Sequence, residues 1–522
     1  MQSELLNSSN AELVSSSHSL TSYLRSLARG RDATPRSWLY ESKDANRVLQ
    51  DWIPIMIKSN NTSKLGSIFN QFDLKQVEKF GPQGAVPSVS SKECMDVIEP
   101  LYSSSKYNDA LMLKDYFPLT RAFAQEAFGV RLQTKRPKSL LSVIDDMRER
   151  DTLVTNSGFP RFTKRSTVFN EEVQDAESER AYDYPAIILF RQYNGKLRPV
   201  WMFPMSLNLI EFSFSQIIQN ALLSTPTPWI KAYLSPWKGY EDVKQTLTLQ
   251  WNHTNIVGGD TTKMDANMRP AQIRLVYEIV KWLFQEKYWQ ELHRSLMHIC
   301  NIDLLYTEHN VWKGIHGLAS GSGWTQLVET VLQMFMAWNA KAHGQGIGDD
   351  FYWLTDMDAK DVVSYLEQYG LPANPDKQSV SNVELTFLQR LNHIDFFSRE
   401  NDRVLGAYYP TIRALNSMLN PEKYHKPKDW SSDMFCMRNY MILENCVDNP
   451  CFGEFVKFVV HGHKDMASFA KLSIAELSSI QTKARLVPGL SPSYNQEKRD
   501  KPLSSFVSIQ LAKELRGLSL FS

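Results

Sequence analysis

Cysteine is scarce. The 522 residues hold five, Cys94, Cys300, Cys436, Cys446 and Cys451, an odd number with no Cys-x-x-Cys pair. That excludes a disulfide framework and a thiolate zinc site of the usual spacing. Long apolar runs are missing too: no stretch approaches the ~20 consecutive apolar residues that a spanning helix needs. The opening MQSELLNSSNAELVSSSHSL has no basic segment leading into an apolar core. The expectation is a soluble, unprocessed chain in a reducing, intracellular setting, with no membrane partner. Nor is there an excess of one charge. Lys and Arg number 58 against 57 Asp and Glu, for a net +1, so a polyanion site must be a local groove lined with cations. What the chain does have is 43% hydrophobic and 11% aromatic residues, over a length beyond what one core usually supports. Several domains, or one large domain with insertions, are expected.

Residues 1 to about 35 are rich in Ser and Asn, and read as an arm that is mobile or lies across another part of the molecule. Helical spacing then runs through SWLYESKDANRVLQDWIPIMIK and DALMLKDYFPLTRAFAQEAFGV. The acidic run NEEVQDAESERAYDYP reads as a solvated face. AIILFRQYNGKLRPVWMFP predicts a hairpin turning at Asn194-Gly195, with Arg191, Lys196 and Arg198 on its arms. TNIVGGDTTKMDANM predicts a short strand ending in carboxylates, followed by one long amphipathic helix over RPAQIRLVYEIVKWLFQEKYWQELHRSLM. GLASGSGWTQLVETVLQMFMAWNAKAHG predicts a glycine loop opening into a helix. DAKDVVSYLEQYG predicts another helix, closed by Gly370, and ELTFLQRLNHIDFFS predicts a strand pair. From about residue 400 onward the pattern is again mostly helical.

Chemistry concentrates where carboxylates meet turns. Asp260 ends one predicted strand, and the adjacent pair Asp349 and Asp350 sits at a turn before another, in GQGIGDDFYWLTD. Carboxylates at adjacent strand ends suit hard divalent cations, which take oxygen ligands and leave positions open for water and phosphate. Such a site can hold two Mg²⁺ ions, and the cations would offset the repulsion between like charges. Taken alone, Gly-Asp-Asp is ordinary turn chemistry. Other constellations are weaker. His461 and His463 lack further ligands nearby, and LASGSG lacks the context of a nucleophile elbow.

The order of motifs carries more weight. DTTKMD (260–265), SGSGWT (320–325), GDD (348–350), NPDKQ (374–378) and FLQR (387–390) resemble motifs A to E of viral RNA-dependent RNA polymerases. FRQYNGKLRPV upstream resembles motif F, and TNSGFP (155–160) resembles the template-contacting motif G. The likeness is strongest to the polymerases of picobirnaviruses, then of partitiviruses, both with double-stranded RNA genomes.

The resemblance implies roles residue by residue. Asp260 and Asp349 would bind two Mg²⁺ ions, with Mn²⁺ able to substitute, and Asp350 would be a more peripheral third acid. Asp265 would face the ribose of the incoming NTP, since a carboxylate can read a 2′-hydroxyl. The plainer reading makes Asp265 the N-cap of the helix that begins near Arg269. Ser320, Gly321 and Thr325 would form the nucleotide-side loop, and their plainer reading is an ordinary glycine-rich helix start. Glu329 stands where many positive-strand relatives carry Asn. A carboxylate cannot donate the amide hydrogen bond, so the ribose-sensing network is expected to be rearranged. Arg191, Lys196 and Arg198 would bind the triphosphate, Arg198 foremost; a solvated hairpin face is the bland reading. Lys377 would protonate departing pyrophosphate, or is a plain turn lysine. Ser157, Gly158 and Pro160 would contact template. Phe387 and Arg390 would sit at a primer grip, or simply pack in the core.

The fold implied is an α+β right hand, helix-rich overall, with an RRM-like antiparallel palm sheet. Residues 1–60 would be an arm and helical region bridging to the thumb, 61–250 the fingers, 251–395 the palm and 396–522 the thumb and C-terminal segment. The function implied is template-directed synthesis of viral RNA by a monomer. Template RNA, nascent RNA and NTPs would be its partners, with viral capsid protein a further one, in the virion interior and host cytoplasm. A reverse transcriptase shares the palm chemistry. A non-catalytic, capsid-associated RNA-binding protein could keep the fold with idle acids. The polar segment at residues 484–506 could be a loop that regulates initiation. One local oddity is HGQGI before GDD, a poor strand by composition, so the first arm of that hairpin is expected to be short or irregular.

Overall fold

The computed structural model describes all residues except Ser104, His253, Asp260, Thr262, 491–499 and 516–522, and the side chain of Lys377. The chain separates into two units. The first comprises Met1–Arg31, Pro87–Phe190 and Arg198–Asn382; the second comprises Asp32–Val86, Arg191–Leu197 and Val383–Ser522.

Among the described residues the strands run, in chain order, β1 (Gln2–Leu5), β2 (Ala186–Tyr193), β3 (Lys196–Met202), β4 (Ile256–Gly259), β5 (Leu304–Leu305), β6 (Asn310–Lys313), β7 (His343–Ile347), β8 (Asp350–Leu354), β9 (Ser379–Ser381), β10 (Glu384–Phe387) and β11 (Arg390–His393). One sheet has the order β1-β6-β5-β2-β3. Its β2–β3 turn places Asn194 at φ 52° and Gly195 at φ 71°, as the Asn-Gly signal predicts. The N-terminal arm does lie across its own unit: β1 pairs antiparallel with β6, from Gln2 opposite Lys313 to Leu5 opposite Asn310.

The sheet that matters for chemistry is antiparallel, in the order β7-β8-β4-β9. In β8, Phe351, Tyr352 and Trp353 are all buried, so both faces of this strand are covered. Gly259 must be glycine because a Cβ there would lie 2.2 Å from the Phe351 ring. β7 overturns the expectation of a short or irregular arm. Its five residues pair in unbroken register with β8, from His343 opposite Leu354 to Ile347 opposite Asp350. The glycines that weaken its strand propensity are demanded by close neighbours. A Cβ on Gly344, at φ +153°, would meet the Tyr352 carbonyl oxygen at 1.9 Å, and one on Gly346 would meet Gln333 Oε1 at 1.9 Å.

A second correction concerns the long helix after β4. The segment forms two helices, Pro270–Val280 and Trp289–His298, separated by 3₁₀ turns. The break falls at Phe284, which turns extended, bridges to Lys135 and buries its ring 5.2 Å from that of Phe214. No Pro or Gly announces it, because the cause lies 70 residues or more away in sequence.

The second unit packs helices Ala45–Asn60, Thr411–Leu419, Ser432–Leu443, Phe452–His461 and Ile474–Arg485 around Trp52, Phe435, Tyr440 and Phe455. β10 and β11 form the expected strand pair within it. Phe387 is buried there. So is Arg390, whose Nη2 donates to Asn445 Oδ1 at 3.0 Å. All five cysteines are free and buried. No described helix is long and apolar enough to cross a membrane.

Candidate active site

Gly348 and Asp349 form the two-residue turn between β7 and β8. Gly348 takes φ +59°, a conformation glycine adopts at no steric cost. The acids Asp349 and Asp350 are exposed while Gly348 is buried, so the turn offers carboxylates outward from a fixed backbone. The helix Thr325–Asn339 fixes it. Gly348 N–H donates to Thr330 Oγ1 at 2.9 Å, and Gln333 Nε2 donates to the carbonyls of Gly348 and Asp350. Gln333 Oε1 in turn accepts from Tyr233 Oη at 2.9 Å. Thr330 and Gln333 are fully buried, so each such bond is made away from competing water.

Glu329, one position earlier on the same helix, is also buried, and its carboxyl hydrogen-bonds the carboxyl of Asp265. Burial pushes Glu329 well above the usual carboxyl range, and the charges of Asp265, Asp349 and Asp350 push it further. Asp265 is raised as well, chiefly by burial and then by Asp349, while the Glu329 hydrogen bond and the charge of Arg198 oppose the rise. Two carboxyls in contact share a proton. It belongs on Glu329, the more enclosed of the two, leaving Asp265 the anion in the field of Arg198. This revises the expectation for Glu329. As a neutral acid it can donate a hydrogen bond, which is what Asn would have supplied. Asp265 is not the cap of the following helix: it lies in the separate turn Met264–Asn267, and the N-cap of Pro270–Val280 is Arg269.

The loop preceding the helix is held tightly. Ser320 Oγ donates to the Pro199 carbonyl at 3.1 Å, and Thr325 Oγ1 to the Ala319 carbonyl at 2.9 Å. Gly321 leaves no room for a side chain, since a Cβ would lie 1.6 Å from the Trp201 carbonyl oxygen. The hairpin cations separate by environment. Arg198 is exposed on β3 and its charge reaches Asp265. In the second unit, Lys196 acts on Lys79 beside Arg413, and Arg191 makes a two-pronged pair with Glu422, at 2.7 and 2.8 Å. In the TNSGFP turn, Ser157, Gly158 and Pro160 are buried, and Ser157 Oγ accepts from Thr163 N–H. Asp260 and the Lys377 side chain lie outside the described residues; β4 is the strand that leads to Asp260 in sequence.

The sequence model of the viral RNA-dependent RNA polymerase family matches residues 194–410, from the hairpin turn through the Gly-Asp-Asp turn and the β10–β11 pair. A potential RNA-dependent RNA polymerase of human picobirnavirus (strain Human/Thailand/Hy005102/-) is 26% identical over 482 residues, 85% of each chain. The crystal structure of a human picobirnavirus RNA-dependent RNA polymerase superposes with a TM-score of 0.78 at 20% identity, covering 98% of this chain and 99% of that one. Its insertion-loop deletion mutant gives 0.79 at 21%, with the same coverage. The chain is thus similar to the viral RNA-dependent RNA polymerases in sequence and in fold. Its α+β architecture is the polymerase fold.

The sequence pointed to Asp349 and Asp350 but not to the residues that hold their turn. Thr330 and Gln333 belong to TQLVETVLQMF, where polar residues at Glu329, Thr330 and Gln333 interrupt an otherwise apolar buried helix. That spacing of one and four residues is a face of a helix, and its polarity inside a core is the signal that could have found them. The donor set also fits a hard cation. Asp349 and Asp350 are exposed, Glu329 Oε1 is buried with no donor to it among the described residues, and the negative field is strong enough to act on both Glu329 and Asp265. Oxygen acceptors of this kind are what hard divalent cations take, and among the described residues alone no group of three or more His, Cys, Asp or Glu side chains is placed to hold one.

Proposed function

We propose that this RNA-directed RNA polymerase transcribes and replicates a viral double-stranded RNA genome by two-metal nucleotidyl transfer. In that reaction the 3′-hydroxyl oxygen of the growing strand bonds to the α-phosphorus of an NTP. The bridging bond to the β-phosphate breaks and pyrophosphate leaves. Mg²⁺, with Mn²⁺ as a substitute, would be held by Asp260, Asp349 and Asp350, and would lower the pKa of the attacking hydroxyl and stabilise the leaving oxygens. The chain's own residues do the rest. Arg198 supplies a guanidinium that can take phosphate oxygens in pairs. Asp265, steadied by the hydrogen bond from Glu329, accepts from the ribose 2′-hydroxyl. Lys377 would give pyrophosphate its proton. Arg191 would have to leave Glu422 before it could serve the triphosphate.

The observation that carries this reading is the convergence of Asp265, Glu329, Asp349, Asp350 and Arg198 within one electrostatic neighbourhood. An antiparallel palm carrying motifs A to E, with fingers before and thumb after it, is the corresponding subdivision. Template and nascent RNA would run through a cationic channel read by backbone contacts. A monomer working within a capsid, in the virion and the host cytoplasm, completes the proposal. Extension of an RNA primer-template with Mg²⁺ or Mn²⁺ tests it. NTPs should be incorporated in preference to dNTPs, and Asp349→Ala should abolish addition while RNA binding persists. Preferential use of dNTPs, or activity in Asp349→Ala, would overturn it.

A further inference from the structure

The helix Met205–Leu223 carries a buried acid that the reaction as described does not use. Glu211 is 3% exposed, and its carboxylate is surrounded by donors. Ser322 Oγ donates to Oε2, Gly323 N–H donates to Oε1 at 3.1 Å, and Asn208 Nδ2 donates to Oε1 at 2.9 Å. Two of these donors belong to the Ser320–Gly323 loop. Gly323 packs so closely on this helix that a Cβ would lie 2.7 Å from the Phe212 ring.

The same helix anchors the other side of the site. Asn208 Oδ1 accepts from Arg165 Nη2 at 2.9 Å, and Arg165 Nε donates to the Asn156 carbonyl at 3.1 Å. Met205 N–H donates to the Ser157 carbonyl at 2.8 Å, and Gly158 sits where a Cβ would meet the Phe203 carbonyl oxygen at 2.5 Å. An unbroken chain of hydrogen bonds therefore runs from the TNSGFP turn through Arg165, Asn208 and Glu211 to Ser322 and Gly323.

We infer that Glu211 is a positioning residue, which seats the Ser320–Gly323 loop and ties it through Asn208 and Arg165 to the Asn156–Pro160 turn. The inference rests on the polymerase reading, in which that loop serves the nucleotide and that turn the template. With Glu211 in place the two are referenced to one helix, so an NTP meets a loop already in register with the template path. Without it, Ser322 and Gly323 lose a charged acceptor, and Asn208 and Arg165 lose the group that orders them.

Burial raises Glu211 to about 7, against the three hydrogen bonds and the charge of Arg165. The other ionisable groups in its field are Tyr182 and, beyond Arg165, Glu172. The anion, the form that accepts from all three donors, therefore prevails above about pH 7 and is lost below it.

The test uses the full chain carrying Glu211→Ala or Glu211→Gln. Steady-state NTP incorporation on an RNA primer-template is measured from pH 6 to 8.5, with amide hydrogen exchange of the segments around 153–163 and 315–325. Glu211→Ala should raise the KM for NTP by about tenfold, the scale of losing a hydrogen bond to a charged group, with kcat changed less. Exchange should rise in both segments. Glu211→Gln keeps the size and an acceptor, so it should bring KM back to within about threefold of the parent and remove the rise in KM below pH 7. A KM unchanged in Glu211→Ala, or exchange that rises in only one segment, would overturn the inference. So would a pH profile of KM that is the same in Glu211→Gln as in the parent. Failure of the parent chain to incorporate NTPs at all would instead sink the polymerase reading, and the exchange measurement would still decide the tie between loop and turn.

Discussion

Two buried acids, Asp73 in the second unit and Glu329 in the first, are handled in opposite ways. Asp73 is completely enclosed and receives four hydrogen bonds: the N–H groups of Thr411 and Ile412 at 2.8 Å each, Thr411 Oγ1 at 2.8 Å and Tyr408 Oη at 2.6 Å. It acts as a remote cap for the helix Thr411–Leu419, and every contact pulls its raised pKa back down. Glu329 is buried too, yet the groups acting on it are Asp265, Asp349 and Asp350, and every one pushes it up. Burial alone does not distinguish a structural acid from a functional one. The sign of its neighbours does: a fold stabilised for its own sake surrounds an acid with donors, and a site that would hold cations, as proposed for this one, surrounds it with acids.

Substitutions at the two places should separate along that line. The largest effect is expected at the turn. On the proposed mechanism, Asp349→Ala should lower nucleotide addition by on the order of 10³-fold or more, because Asp349 would be a cation ligand acting on the transition state. Its thermal stability should be no lower than the parent's, since an exposed like charge is removed. Asp73→Ala should do the reverse. It strands two N–H groups and two hydroxyls in the core, at a cost of about 3–5 kcal/mol, read as a lower urea midpoint. The protein that remains folded should retain the parent's KM for NTP. If Asp73→Ala proved as stable as the parent, the idea that its donors mark a structural role would fail.

How much of this contrast the sequence displayed depends on range. Asn194-Gly195 and Gly348-Asp349 were legible because turn conformation is set by the residues in the turn. The helix over 325–339 was legible from its apolar spacing. Arg191 was not, since its partner Glu422 stands 231 positions away, and a cation on a hairpin arm reads the same whether paired or free. Glu211 was not legible for a related reason: in SLNLIEFSFSQII a single acid reads as the polar edge of a helix, and only the packed loop turns it inward. HGQGI misled in the other direction. Strand propensity scores side-chain packing on a pleated surface, and here the glycines answer to close approaches by Gln333 and Tyr352.

Glu329 offers a finer test of the comparison through pH. Its folded pKa lies above the unfolded value near 4.5, so the folded state holds the proton more tightly. The stability this contributes is fully present below about pH 4.5 and is lost as pH rises toward the folded value, at a limiting slope of about 1.4 kcal/mol per pH unit. Glu329→Gln, isosteric with the neutral acid, should lack that loss. Its Tm advantage over the parent, measured without divalent cations, should be small near pH 4.5 and grow toward pH 8. A Tm difference independent of pH would mean that Glu329 is ionised in the folded chain. In the same variants, preference for NTP over dNTP should survive Glu329→Gln and fall about tenfold in Glu329→Ala, where Asp265 loses its donor.

The smallest expected effect belongs to the strand behind the turn. Gly346→Ala adds one methyl group against Gln333 Oε1, the end of a flexible side chain rather than backbone. Gln333 can give way, but only by loosening its bonds to Tyr233 and to the carbonyls of Gly348 and Asp350. A destabilisation of about 1–2 kcal/mol follows, with kcat reduced a few-fold because the acids stay in place on a less rigid turn. Gln333→Ala in the same background should cost less than the sum of the two single changes, since the methyl group would then occupy vacated space. Full additivity in that double-mutant cycle would show that Gly346 and Gln333 do not act on the turn together, and that β7 is glycine-rich for some other reason.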